Sequence, residues 1–275
     1  MSRPKKIWIS KLLDYARSID RSWLITWSLI FISFIVLDSF FQTHFSGQDI
    51  FYDMNLFGKD LHFEVVKNGT FIGVTIIKYA GIVLSFIYAK VKFKRDYILQ
   101  IALLFTLLAD TILTLDSISE LGVLAFCLAQ YFHNARFAGM KPYAFIAWSV
   151  FLLLILMFGH FHHINNMYSL AIIYGTSLIA NIILTYRWWR KSKKPWNKAT
   201  DREIIASTCA FFGFILFILC DINVGISYLS VTGVLPLKLA TFANFFAWMF
   251  YYPSQVLISN SSPLDGKVKR KVEKL

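Results

Sequence analysis

The sequence is poor in charged residues and in cysteine. Only 16% of its 275 residues are charged, whereas a soluble domain usually carries about 25%, so the chain lacks the composition of a soluble domain. Its three cysteines, Cys127, Cys209 and Cys220, lie far apart within apolar runs, which suits packing residues and indicates neither a disulfide framework nor a metal site. A cleavable signal peptide is not expected, because a polar stretch of 22 residues precedes the first apolar run and no small-residue cleavage site follows that run.

Long apolar runs dominate what is present. Hydrophobic residues make up 57% of the chain, and runs of roughly 17 to 25 residues, each long enough to cross a bilayer, recur throughout it. We predict an all-α polytopic membrane helical bundle of about eight transmembrane helices. The predicted spans lie near 23–41, 70–89, 97–115, 118–137, 143–159, 168–186, 203–222 and 240–259. Because only residues 116–117 separate the third and fourth spans, these two are expected to form a close hairpin.

The distribution of positive charge predicts the orientation of the bundle. Of the 28 Lys and Arg residues, 24 lie in the tails and loops of one side, three lie in the opposite loops, and Lys78 lies within a span. By the positive-inside rule both termini are cytoplasmic. The net charge of +12 then indicates contact with membrane lipids and no nucleic-acid partner. The predicted location is the cell membrane of a bacterium, as a multi-pass protein of unknown oligomeric state.

Two tails flank the transmembrane domain of residues 23–259. Residues 1–22 carry apolar and basic residues at helical spacing, which is typical of a basic amphipathic helix on the inner leaflet, with a solvated tail as the alternative. Residues 260–275 form a basic cytoplasmic tail. Between the first two spans, residues 42–69 are polar and aromatic, and this outer segment has room for a short interfacial helix.

Four ionisable side chains lie within the predicted spans: Asp38, Lys78, Asp110 and Asp221. A charge at bilayer depth costs on the order of 3 kcal/mol, so it normally faces a cavity or a partner. Asp38 lies within a turn of the outer end of its span and is expected to reach water. The other three lie within about two turns of one another in depth, in the outer half, with Asp221 near the outer end of its span. This suggests one shared polar cavity; the alternative is that Lys78 only neutralises one aspartate in a structural pair.

Polar residues at helical spacing support such a cavity. One stripe by itself is typical of helix–helix contact, but several stripes together with three ionisable residues favour a polar interior. Pro253 is expected to kink the last span and to free a backbone carbonyl toward this interior. The stripes are Thr106, Asp110 and Thr114; Cys127, Gln130 and Asn134; Ser177, Asn181 and Thr185; and Thr241, Asn244, Trp248, Tyr251, Tyr252 and Gln255.

The histidines do not indicate a metal site. His160, His162 and His163 share one short outer loop without an in-span acidic partner at ligand spacing. His133, near the inner end of the fourth span, is typical of a packed polar residue. We therefore predict no metal and no cofactor.

Three motifs resemble those of a known family. "ALLFTLLADTILTL" followed by "LGVLAFCLAQYFHNARF" is similar to the central hairpin of the YhhN-type lysoplasmalogenase family, which includes animal transmembrane lysoplasmalogenases. "FFGFILFILCDINVGI" resembles the family's second Asp motif, "FAWMFYYPSQVLISNS" resembles its last span, and Lys78 lies where the family tends to carry a Lys. The resemblance covers roughly residues 70 to 260. The chain departs from the pattern at Ala109, where Gly is usual, at Tyr79, where Pro is frequent, and at Gln130, where His is frequent.

The resemblance implies a hydrolase that cleaves the vinyl ether bond of a lysophospholipid substrate, the lysoplasmalogen, to a fatty aldehyde and a glycerophospho-base. Such a bond breaks when an acid protonates its β-carbon and water captures the resulting oxocarbenium ion. A buried carboxylic acid can hold this proton, because burial disfavours the ionised form, and a second, ionised carboxylate can stabilise the cation and activate the water. Asp110 and Asp221 are the catalytic candidates, in either order of roles.

The remaining candidates would bind the substrate. Lys78 would hold the lipid phosphate or tune one aspartate, while Trp248, Tyr251 and Tyr252 would wall the chain. The other substrate-binding candidates, taken from the polar stripes, are Gln130, Asn181, Asn244 and Gln255.

Other classes of membrane protein also use ionisable residues within their spans. A proton-coupled transporter or a lipid-binding membrane protein could use the same Asp and Lys cluster, although no internal repeat or pair of broken helices supports a transporter. "LLADTIL" and "ILCDINV" lack the Tyr-Asp and Gly-x-Gly-Asp motifs of an intramembrane aspartyl protease. A retinal protein needs a Lys on its last span, and this span has none.

Overall fold

The computed structural model describes residues 21–44, 50–56, 59–67, 70–115, 120–139, 142–163, 166–194, 199–236 and 238–263. Within these ranges eight α-helices follow one another in the order predicted from hydropathy. The helices are α1 (Arg21–His44), α2 (Ile72–Lys92), α3 (Tyr97–Leu115), α4 (Glu120–Ala138), α5 (Pro142–Phe161), α6 (Asn166–Ser192), α7 (Asp201–Val231) and α8 (Lys238–Ser259). The amphipathic helix predicted for the N-terminal tail and the basic tail after residue 263 fall outside the described residues.

Four of the described helices are long and apolar enough to cross a membrane. Their apolar parts are Arg21–Phe40 in α1, Tyr97–Thr114 in α3, Asn166–Ser192 in α6 and Asp201–Ser230 in α7. A shorter apolar stretch, Ile146–Phe161, forms most of α5. Since about 20 apolar residues in a helix match the hydrocarbon core, these segments indicate a membrane protein.

The segment between α1 and α2 departs from the all-α prediction. It contains a three-stranded antiparallel sheet in the order β1 (Ile50–Leu56), β2 (Lys59–Lys67) and β3 (Thr70–Phe71). The short interfacial helix considered for residues 42–69 is therefore wrong. In β2, Leu61, Phe63 and Val65 recur at every second position, a period that favours a strand over a helix.

The seventh helix is longer than its predicted span of 203–222. It continues to Val231, so Asp221 lies ten residues before the last residue of the helix. The prediction that Asp221 lies near the helix end is therefore wrong. Two residues further on, the Asn223 side chain donates to the carbonyl of Leu219 at 2.8 Å, so its amide is satisfied within the helix.

The chain divides into two compact units, each built from separated segments. The first takes its described residues from Ser85–Ile215 and from Ser254 onward, and contains α3 to α6. In it, α3 and α4 form the close hairpin expected from the sequence. The rings of Phe105 and Phe132 stack across it at 5.4 Å, and a Cβ on Gly122 would lie 2.6 Å from Leu113 Cγ.

The second unit takes its described residues from the chain up to Leu84 and from Leu216–Pro253. Here side chains of α8 contact both α1 and α2. The Tyr252 hydroxyl of α8 donates to the carbonyl of Trp27 in α1 at 3.0 Å, and the Tyr252 ring stacks on Phe31 at 5.3 Å. Gly81 of α2 lies directly against that ring, where a Cβ would overlap it.

Candidate active site

Lys78 lies in the interior of the second unit, where it forms an ion pair with Asp38. Its Nζ is 3.4 Å from Asp38 Oδ1, and the two residues are only 3% and 0% exposed. The rings of Phe34 and Trp248 flank the ammonium, with centroids at 4.9 and 5.1 Å from Nζ. A positive charge is attracted to the face of an aromatic ring, so three side chains hold the ammonium.

The expectation that Asp38 simply reaches water is wrong. Trp27, Phe34 and Asp38 are all buried, and their spacing of seven and four residues places them on one face of α1. This face packs inward, and Asp38 points inward with it. Asp38 is thus the functional candidate that the sequence analysis missed. No local signal in the sequence could have found it, because the contact depends on which face of α1 packs inward.

Aromatic contacts lead from Lys78 toward the helix face that carries Asp221. Trp248, which flanks the ammonium, contacts Tyr251 with ring centroids 5.5 Å apart. Tyr251 in turn contacts Phe217 of α7 at 5.5 Å. Asp221 is partly buried and lies one turn after Phe217 on the same face of α7. The second unit therefore combines a buried cation, an aromatic wall and a carboxylate.

The other α8 candidates of this unit differ in surroundings. Tyr252 points to α1, and its hydroxyl donates a hydrogen bond to the Trp27 carbonyl. Tyr251 contacts α7. Asn244 is partly buried, one turn before Trp248. The helix continues through Pro253, which has no N–H to offer the carbonyl of Met249.

Asp110 belongs to the first unit and lies on a buried face of α3. It is 9% exposed and follows Ala109, which is fully buried, and it lies five residues before the end of the helix, as predicted. The threonine hydroxyls of the same stripe donate hydrogen bonds to backbone carbonyls within α3. Thr106 donates to the Ala102 carbonyl at 3.1 Å, and Thr114 donates to the backbone carbonyl of Asp110 at 2.7 Å.

The polar stripes of α4 and α6 contact each other. Asn181 Nδ2 donates to the backbone carbonyl of Gln130 at 3.0 Å and to its Oε1 at 2.8 Å. One turn along, Asn134 Nδ2 donates to the Ser177 carbonyl at 3.1 Å. These are the contacts of a helix–helix interface, the alternative to lining a cavity.

Four buried amide atoms of the first unit nevertheless have no hydrogen-bond partner among the described residues. They are Gln130 Nε2, Asn134 Oδ1, Asn181 Oδ1 and Gln255 Nε2. Buried polar atoms are normally hydrogen-bonded. These atoms therefore retain donor and acceptor capacity for a bound molecule.

The histidines lie outside this constellation. His133 is packed, as expected, in edge contact with Phe214 at 5.1 Å, whereas His160, His162 and His163 are exposed. Within the described part of the chain, no three His, Cys, Asp or Glu side chains are grouped so that they could hold a metal ion.

Two cavities open in the first unit along α4, α5 and α6. One of about 490 Å³ is lined by Glu120, His160 and several apolar side chains, and one of about 260 Å³ is lined by residues that include Asn134 and Trp148. Neither of these two cavities is lined by Asp110.

The sequence model of the YhhN family matches residues 73–262. The chain belongs to the YhhN family. The resemblance seen in the motifs is thereby confirmed, and every predicted site residue from Lys78 to Gln255 lies within the matched span, whereas Asp38 and all of α1 precede it. Comparison with curated proteins and with solved structures gives no significant match. Family membership and long apolar helices together make this a membrane protein of the YhhN family.

Proposed function

We propose that this YhhN-family protein hydrolyses the vinyl ether bond of lysoplasmalogens, releasing a fatty aldehyde and a glycerophospho-base. The observation that carries the proposal is the line of contacts in the second unit from Lys78 through Trp248, Tyr251 and Phe217 to the helix face of Asp221. A single-chain phospholipid needs a cation for its phosphate and an apolar wall for its chain, and this line of side chains offers both.

The proposed chemistry uses Asp110 and Asp221, two of the aspartates within the matched span. One carboxylic acid, Asp110 or Asp221, transfers its proton to the β-carbon of the vinyl ether, and the carbon–oxygen unit becomes an oxocarbenium ion. The other aspartate, ionised, stabilises this cation and takes a proton from the attacking water. The resulting hemiacetal then separates into aldehyde and alcohol, which leaves the free hydroxyl on the glycerophospho-base.

The proposed setting is a bundle of eight spans in the cell membrane of a bacterium, with both termini cytoplasmic. The distribution of Lys and Arg supports this orientation. It can be checked by single cysteines in the 93–96 loop and in the β1–β2 hairpin, labelled from outside the cell with a membrane-impermeant maleimide. Labelling is expected in the hairpin only.

The activity is tested with purified protein in detergent, given a lysoplasmenyl lipid or a lysoacyl lipid with the same headgroup. We expect aldehyde from the first lipid only. In D₂O the aldehyde should carry one deuterium on the carbon next to the carbonyl, because that carbon receives the proton. Asp110→Asn and Asp221→Asn should each lower the rate by at least about 100-fold, the scale of a lost acid or base, while Asp201→Asn in the first turn of α7 serves as the matched control.

Full turnover in either aspartate variant would overturn the assignment of that aspartate. The rival function is a proton-coupled transporter, and the buried Asp38–Lys78 pair is the observation that favours it, since such pairs also occur in proton pathways. No aldehyde from any lipid, together with pH-dependent solute uptake in reconstituted vesicles, would establish the rival.

A further inference from the structure

The ion-pair partner of Lys78 comes from a helix that the family match does not include. The matched residues begin at 73, and α1 ends at His44. Yet Asp38 of α1 lies 3.4 Å from Lys78 Nζ, with the two side chains 1% and 4% exposed. A residue outside the family span thus neutralises a charge inside it.

Helix α1 supplies two of the three groups around the ammonium. Phe34 lies one turn before Asp38 on the same face, and its ring centroid is 4.9 Å from Nζ. Trp248 of α8 covers the ammonium as well, at 5.1 Å. The position of the charge is therefore defined by α1 and α8 as much as by α2.

The geometry of the pair leaves the ammonium able to bind a further anion. Asp38 Oδ1 accepts one hydrogen bond from Nζ, at 3.4 Å, and so offsets the cost of burying the charge. Among the described residues, Nζ has no second hydrogen-bond acceptor. An ammonium has three N–H donors, so two of them remain for a further anion.

We propose that Asp38 is the positioning residue for Lys78, holding its ammonium between Phe34 and Trp248 so that it receives the phosphate of a lysophospholipid. In this protein α1 is thereby part of the substrate-binding unit. The phosphate half of this inference rests on the proposed function, whereas the pairing of Asp38 with Lys78 does not.

The test compares Asp38→Asn, which keeps the shape of the side chain but removes its charge, with wild type in the aldehyde assay. We expect KM for the lysoplasmenyl lipid to rise roughly tenfold or more, the scale of a lost hydrogen bond to a charged group, with kcat changed far less. Asp38→Glu, which keeps the charge and moves it by one methylene, should raise KM less than Asp38→Asn does.

Asp96→Asn is the matched control, because Asp96 forms a buried ion pair with Arg136 in the first unit. It should lower thermal stability and leave KM unchanged. A purely structural role for Asp38 would produce the same pattern, since fewer folded molecules reduce the apparent kcat and not the affinity of those that remain. An unchanged KM in Asp38→Asn would therefore overturn the proposal. If that variant does not fold, Asp38→Ser, which also removes the charge, is assayed in its place, and an unchanged KM there overturns the proposal.

A second measurement separates this proposal from the proposed function. An alkyl-ether lysophospholipid lacks the vinyl double bond and cannot be hydrolysed in the proposed way, so its Kd reports binding alone. If wild type releases no aldehyde, the proposed function fails, and the positioning role is then decided by this Kd. A Kd raised roughly tenfold in Asp38→Asn supports it, and an equal Kd for wild type and variant overturns it.

Discussion

Arg136 donates from both Nε and Nη2 to the same carboxylate oxygen of Asp96, at 3.2 and 3.0 Å. The other oxygen of Asp96 accepts the N–H of Leu99 at 3.2 Å and caps the start of α3. Arg136 also donates to the side chain and the backbone carbonyl of Ser261, at 2.8 and 2.7 Å. One buried pair thus ties the start of α3, the end of α4 and the chain after α8 together.

The two jobs of Asp96 can be separated by two substitutions. Asp96→Asn keeps a capping oxygen but removes the charge, and loss of one partner of a buried pair costs about 3–5 kcal/mol in free energy of unfolding. Asp96→Ala also removes the cap and should cost about 1 kcal/mol more. Reversible denaturation in mixed micelles measures both values. Equal stability of the two variants would show that the cap contributes nothing.

Gly81 is expected to tolerate no side chain. A Cβ at this position would overlap the ring of Tyr252, and overpacking of this kind costs about 1–3 kcal/mol. Gly175 in α6 is the matched control, because nothing lies within 4 Å of a Cβ placed there and Ala is favoured over Gly in a helix by about 1 kcal/mol. In detergent, the midpoint temperature of thermal unfolding should fall for Gly81→Ala and rise for Gly175→Ala. Shifts of the same sign would contradict the packing described for α2 and α8.

The amide pair of α4 and α6 should behave as one energetic unit. Asn181→Leu removes the donor that Gln130 accepts, and Gln130→Leu leaves the Asn181 amide with only the backbone carbonyl. Each single change should cost about 1–3 kcal/mol, the desolvation cost of an unsatisfied buried group. The double variant should be less destabilised than the sum of the single variants, with a coupling of about 0.5–3 kcal/mol in a double-mutant cycle. Strict additivity would mean that the pair does not form.

The hydroxyl of Tyr252 is expected to contribute to the packing of α1. Tyr252→Phe removes the 3.0 Å hydrogen bond to the Trp27 carbonyl and keeps the ring stacked on Phe31, so the expected loss is about 0.5–1.5 kcal/mol in free energy of unfolding. Tyr252→Ala also removes the ring and should cost about 3–5 kcal/mol. A Tyr252→Phe variant as unstable as Tyr252→Ala would contradict this division between hydroxyl and ring.

Local patterns predicted the eight described helices, whereas long-range packing decided the contacts between them. Apolar runs located all eight helices, because each run is long enough to be recognised alone. The alternation of Leu61, Phe63 and Val65 was also present in the sequence as a strand pattern, but the polar and aromatic composition of the outer segment obscured it. By contrast, nothing local shows that Asp38 meets Lys78, since 40 residues separate them and the contact depends on which face of α1 packs inward.

The depth of Lys78 has a consequence for the lipid itself. Helix α2 begins at Ile72, directly after β3, and Lys78 follows six residues later, about 9 Å along the helix axis. In the proposed orientation this end of α2 faces outward, so a phosphate that reaches the ammonium has left the headgroup layer and moved toward the hydrocarbon core. The glycerol and the bond beside it would be drawn down with the phosphate. Binding of the substrate would then require the headgroup to lose part of its hydration shell. Lipids with smaller, less strongly hydrated headgroups would therefore bind more readily.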